Sequence, residues 1–258
     1  AVFFSATLLP VTYYREQLAG REEDYAIYAP SPFSSAKRLL MIGRDVSTRY
    51  ATRGPVQYQR IAEYVRDFVQ SRSGNYLVFF PSYRMLEDVQ PYLESALMRN
   101  KIQLYIQENN MTESDREEFL SHFQDISDDT VIGLCVMGGI FGEGIDLKND
   151  QLIGAVIVGT GLPMVCTENE LFRRYFDQRN NSGFAYAYQY PGMNKVLQAA
   201  GRVIRTDDDR GAILLLDERF LQQGYQQLFP REWYPYEVVD RDSMRVHLSR
   251  FWDSDHNE

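Results

Sequence analysis

Within the eight residues QAAGRVIR, from Gln198 to Arg205, a glutamine and two arginines recur at spacings of four and then three. On a helix turning about 100° per residue, Gln198, Arg202 and Arg205 project from one face while Ala199, Val203 and Ile204 pack elsewhere. A guanidinium is planar, permanently charged and able to grip two phosphate oxygens together, so such a face suits phosphate. Phosphoryl transfer uses this group as an arginine finger. A surface helix carrying solvated arginines is the plainer alternative. Gly201 argues against it, because a glycine inside a helix costs roughly 1 kcal/mol relative to alanine and usually serves a close approach.

Two further segments carry chemistry compatible with phosphate. GGIFGEGIDL, from Gly138 to Leu147, sets four glycines in ten residues directly after an apolar run. Such density permits positive φ and close approach of backbone to a ligand, and open parallel sheets bind ligands at strand ends of this kind. A plain strand-to-helix turn has the same composition, and Glu143 and Asp146 also suit the capping of a helix start. PSYR, from Pro81 to Arg84, follows another apolar run. There Ser82 can cap a helix whose free amides and dipole attract anions. Tyr83 offers either a stacking platform, worth about 1–3 kcal/mol per base, or a core ring.

Other chemistries find no support in the sequence. No Gly-Lys dipeptide occurs, so a G-x-x-x-x-G-K-[ST] phosphate loop is excluded, and with it a self-contained NTPase. His122, His247 and His256 are scattered, which gives no Ser-His-Asp pattern. Cys135 and Cys166 stand far from any C-x-x-C spacing, so no metal site is expected.

The elements that must position these residues alternate. Short apolar runs at 25–29, 39–42, 76–80, 103–106, 131–136, 152–158 and 212–216 predict strands buried on both faces. Gln107 falls at the end of one of them. Helical patterns lie at about 57–72, 84–99, 113–123, 168–180 and 193–205. Thr112 and Asp115 form a capping-box pattern before the third helix. The alternation predicts an α/β fold, a mostly parallel sheet with helices on both faces. Residues 30–56 read as a long surface excursion containing an edge strand, and 238–252 as a separate C-terminal helix followed by a polar tail.

Length and composition bound the possibilities. At 258 residues and 44% hydrophobic content the chain can bury a substantial core as one large domain. No apolar run of 18 residues or signal-peptide pattern appears, so neither a membrane partner nor secretion is expected, and the expected compartment is cytoplasmic. A net charge of −9 argues against nucleic-acid binding by bulk electrostatics, leaving local arginines to make any such contact.

A family resemblance follows from these motifs. QAAGRVIR resembles the sixth conserved motif of superfamily 2 helicases, in the form typical of the XPD/DinG branch. SATL at 5–8 resembles the third motif, NYLVFFPSY at 75–83 the fourth, and GEGIDL at 142–147 the fifth. RGAILLLDERF at 210–220 is similar to the usual continuation after the sixth. The motifs stand in family order from Ser5 to about Trp233. The resemblance implies a RecA-like second motor domain lacking its own phosphate loop, over residues 10–236. Residues 1–9 would be a stub of the first motor domain, with 2–4 as its strand, and 237–258 a C-terminal helix and tail.

It further implies roles. Arg202 and Arg205 would reach the γ-phosphate across an interdomain cleft, with Gln198 orienting them or the attacking water and Gly201 beside them. Glu143, Gly144 and Asp146 would contact nucleotide. Ser82, Tyr83, Gln107, Gly139 and Phe141 would lie along single-stranded DNA, and Ser5 and Thr7 would couple the domains. ATP, Mg²⁺ and an iron–sulfur cluster, where present, would be held by the missing first domain, and the isolated fragment would be inactive. Two other readings share the α/β pattern: a RecA-like domain that binds nucleic acid or a partner without catalysis, and half of a two-domain glycosyltransferase-like enzyme.

Overall fold

The computed structural model describes residues 2–5, 7–18, 21, 23–98, 102–124, 129–141, 147 and 151–254. Seven strands make one sheet: β1 (Arg38–Gly43), β2 (Asn75–Phe80), β3 (Ile102–Ile106), β4 (Thr130–Val136), β5 (Gly154–Val158), β6 (Gly211–Leu216) and β7 (Glu237–Val239). They run in the order β3-β4-β2-β5-β6-β1-β7, and every pairing is parallel. The five longest central runs were legible because both faces are covered. In β2 the period of two sends Tyr76, Val78 and Phe80 to one core and Leu77 and Phe79 to the other.

One core is closed by α2 (Pro55–Val69), α3 (Tyr83–Leu97) and α8 (Arg241–Asp253), through Ile61, Phe68, Leu93, Leu248 and Trp252. The other is closed by α4 (Glu113–Ser121) and α6 (Tyr190–Ala200), through Phe119, Met193 and Val196, with Phe220 and Trp233 beneath. The Thr112–Asp115 capping box forms as its residues foretell. Two helices stand apart from these layers, α1 (Val11–Gln17) and α5 (Thr167–Asn180), and a short α7 (Gln223–Gln226) follows β6.

Five expectations need correction. The strand within 30–56 is no edge strand, since β1 pairs with β6 on one side and β7 on the other. Residues 25–29 form no strand: Tyr25 is 99% and Ile27 93% exposed, so the run has no sheet face to bury. Residues 2–4 likewise form no strand, and Phe4 is exposed. The last helix begins at Arg241 rather than 238, because 237–239 pair with β1 as the edge strand and Asp240 then opens a capping box with Ser243. The helix before the arginines starts earlier, with a π-helical turn at Ala185–Gln189, and ends at Ala200.

Candidate nucleotide and nucleic-acid site

The end of α6 changes the geometry of the arginines. Gly201 is the C-cap, with φ −67° and ψ −1°, and Arg202 and Arg205 lie in the turn beyond it. Gln198 therefore shares no continuous helical face with them, and the one-face expectation fails. Asp209 builds the turn instead. It is 3% exposed, and its carboxylate accepts the backbone amides of Arg205 and Thr206 at 2.6 Å each, while its own amide donates to the Thr206 carbonyl. Asp207 and Asp208 are exposed, as a solvated turn requires. Asp209 does not fit that reading.

This turn lies at the amino edge of the sheet. A Cβ placed on Gly211, the first residue of β6, would fall 2.2 Å from Val203 Cγ1 and 2.8 Å from the Ile153 carbonyl just ahead of β5. Lys37, just ahead of β1, donates to the Asp207 carbonyl at 2.5 Å. Arg202 and Arg205 are half-buried. A Cβ on Gly201 would approach only the Leu197 and Gln198 carbonyls of its own helix, at 3.2 and 3.6 Å. The first distance is tighter than most Cβ contacts and is to backbone, so the bare Cα suits the close end of the helix at this exposed position.

A second cluster gathers at the carboxyl edge, one strand length away, or about 20 Å for six residues. Ser82 caps α3, its hydroxyl accepting from the Met85 amide at 3.2 Å. Tyr83, Gln107 and Gly139 come together there. The Gln107 amide group donates to the Tyr83 hydroxyl at 2.7 Å and accepts the Val136 amide at 2.8 Å, and a Cβ on Gly139 would fall 3.0 Å from Gln107 Nε2. Gln107 is buried, so it organises the edge rather than meeting a ligand. Tyr83 is half-buried: its ring rests on the core, and burial raises its phenol pKa, leaving it neutral at physiological pH. Both roles expected for this ring are thus open to it.

Phe141 is corrected. It is fully buried, with its ring 4.3 Å from Phe119, and presents no face to a strand of nucleic acid. Glu143, Gly144 and Asp146 lie outside the described residues. Ser5 and Thr7 make a local hydroxyl turn, Ser5 Oγ lying 3.2 Å from both the Thr7 amide and hydroxyl. The chain that follows docks on the α6 region: Tyr13 packs edge-on against Tyr186 and Tyr190, Tyr186 donates to Glu16 at 2.9 Å, and Asn194 donates to the Tyr14 hydroxyl.

Sequence reasoning missed the anchor between β1 and β6. Asp217 is fully buried and pairs through both oxygens with Arg219, at 2.7 and 2.8 Å; Oδ2 also accepts the Thr48 amide and hydroxyl. Burial alone would push this carboxyl up, yet the guanidinium and the Thr48 hydroxyl hold it below the ordinary aspartate range. An aspartate closing an apolar run, with an arginine two residues on, was the available signal.

Comparison with known proteins places this geometry. A solved structure of XPD in its apo form superposes with a TM-score of 0.70 over 91% of this chain and 47% of its own, at 22% identity, which shows a RecA-like fold of the XPD helicase type. The model for the helicase C-terminal domain matches residues 65–236, and the chain belongs to that family, in its XPD/DinG form. It is 26% identical to the ATP-dependent DNA helicase DinG of Photobacterium profundum, over 93% of this chain and 34% of the relative. It is 28% identical to the ATP-dependent DNA helicase XPD of Sulfolobus acidocaldarius, over 69% and 31%. The chain thus spans about a third of the length of the curated relatives it matches. Among the described residues no helix is long and apolar enough to cross a membrane.

Proposed function

We propose that this chain is the second of two motor domains of an ATP-dependent DNA helicase that moves 5′ to 3′ on single-stranded DNA. Residues 10–236 are that domain, preceded by a stub of the first domain and followed by an edge strand and helix. Arg202 and Arg205 complete a nucleotide pocket whose phosphate loop and Mg²⁺ ligands belong to the first domain, with Gln198, Glu143, Gly144 and Asp146 on the same side. Ser82, Tyr83 and Gly139 line the DNA track at the opposite edge, with Gln107 fixing Tyr83. Ser5 and Thr7 couple the domains. The setting is cytoplasmic, any iron–sulfur cluster belongs to the first domain, and the fragment alone does not turn over ATP.

The observation that carries this reading is the arginine turn. A buried carboxylate holds its backbone at Arg205 and Thr206, and both arginines keep part of their surface open to solvent. A finger needs both, a positioned backbone and a guanidinium that an incoming phosphate can reach. The test is steady-state ATP turnover and DNA affinity of the full-length protein carrying Arg202→Ala or Arg205→Ala. Turnover lost with DNA affinity retained supports the assignment; equal loss of both in a folded protein overturns it.

A further inference from the structure

Lys195, on α6, lies across the carboxyl edge. A Cβ on Gly161, beyond β5, would fall 3.5 Å from Lys195 Cβ, and one on Gly138, beyond β4, would fall 3.0 and 3.1 Å from Lys195 Cε and Cδ. The stem therefore runs from the exit of β5 to the exit of β4, the two strands that flank β2 and its continuation into Ser82. Beyond Gly138 the line continues through Gly139 to Gln107 and Tyr83. It is a row of groups across neighbouring strand ends.

The ammonium in this row is half-buried, and among the described residues it has no counter-charge. No described residue forms an ion pair or hydrogen bond with it, and burial pushes its pKa down. A charge drawn partly out of water is tolerated when something pairs with it, and no described residue provides such a group. Thr160, next to Gly161, is 1% exposed, and its hydroxyl has no hydrogen-bond partner among the described residues. Gly138, Gly159 and Gly161 take φ of 71°, 79° and 65°, left-handed turns of the kind that shape anion-holding concavities.

We propose that Lys195, laid across Gly161 and Gly138, seats one backbone phosphate of a single-stranded nucleic acid passing over the carboxyl edge. The proposal rests on reading that edge as the nucleic-acid track. An ammonium on a flexible stem meets phosphate as a point charge, so the seat positions the strand without reading its bases. A row of groups fits an extended polymer better than a free phosphate ion does.

The test is fluorescence anisotropy of a labelled twelve-nucleotide oligo-dT with the 258-residue chain across a range of salt. Lys195→Met, which keeps the stem over Gly138, is expected to weaken binding about tenfold at low salt. It should also flatten the slope of log affinity against log salt by about 0.7, the share of one phosphate on a single strand. Lys195→Arg should keep the slope, and Lys195→Gln serves if the methionine variant melts early. Unchanged affinity and slope in a folded Lys195→Met overturn the seat alone, and absence of any binding by the wild-type chain overturns the track with it. Inorganic phosphate and ADP are run as competitors. Displacement by submillimolar phosphate that needs Lys195 would assign the site to a free phosphate group and overturn the nucleic-acid proposal.

Discussion

The two edges of the sheet are built differently. At the carboxyl edge polar side chains are tied to one another across strand ends, Tyr83 to Gln107 to the β4 backbone and Thr48 to Asp217 to Arg219. At the amino edge the arginine segment leaves its helix, and the buried carboxylate of Asp209 accepts backbone amides of the turn. A surface fixed through side chains over several strands suits a long ligand touched at many weak points. A single turn fixed through its main chain suits one small charged group met closely. The contrast teaches that the domain divides its proposed labours by edge, with the sheet as spacer.

The largest effect that could break this division is at the arginines. Because a finger contributes about 10³ to 10⁵ in rate, Arg202→Ala or Arg205→Ala in the full-length protein should lower kcat for ATP by at least about 10³. Oligo-dT affinity should move less than about threefold. A comparable fall in DNA affinity would merge the two edges into one site.

Next comes the anchor of the carboxyl edge. Removing one partner of a buried ion pair costs about 3–5 kcal/mol, so Asp217→Ala should lower the urea midpoint markedly. The same pair sharpens the comparison through pH. The folded-state pKa of Asp217 is depressed, so its stabilisation is complete above about pH 4, the ordinary aspartate range, and fades as pH falls through the lower folded value. Thermal melts of Asp217→Asn should therefore show a flatter acid limb than the wild type, and parallel limbs would remove the pair from the account.

Smaller effects separate the two roles of Tyr83. If the ring stacks on a base, Tyr83→Ala should weaken oligo-dT binding by about 1–3 kcal/mol, while Tyr83→Phe, which keeps the ring, should retain most of the affinity. An equal loss in both would make the hydroxyl contact to Gln107 the decisive feature. Smallest of all, Ser82→Ala should cost about 1 kcal/mol of stability as a lost cap, read by urea unfolding.

Much of the fold was legible because burial on both faces leaves an unmixed apolar run, as in β2 and β6, and capping chemistry is local, as in Thr112–Asp115 and Ser82–Met85. Tyr25 and Ile27 look the same in sequence but find no sheet to join. Which residues would gather at the carboxyl edge was readable from strand ends, Tyr83, Gln107 and Gly139 among them. What each does there was not, since Gln107 turns inward only because Tyr83 of α3 and Val136 of β4 converge on it. The arginine spacing misled for a related reason. Periodicity cannot show that Gly201 ends the helix, because the signal that fixes the turn, Asp209, lies beyond the motif.

The π-helical turn at Ala185–Gln189 has a bearing on everything downstream of it. A π turn carries one residue more than an α turn would and takes it up within a single widened turn, so the helix beyond keeps its phase. In that phase Asn194 meets the Tyr14 hydroxyl, Lys195 lies over Gly138 and Val196 fills the core. The regular winding of α6 has no such slack: one residue inserted just after Gln189 should swing all three by about 100° about the axis, and should prove far more damaging than any substitution of the same side chains.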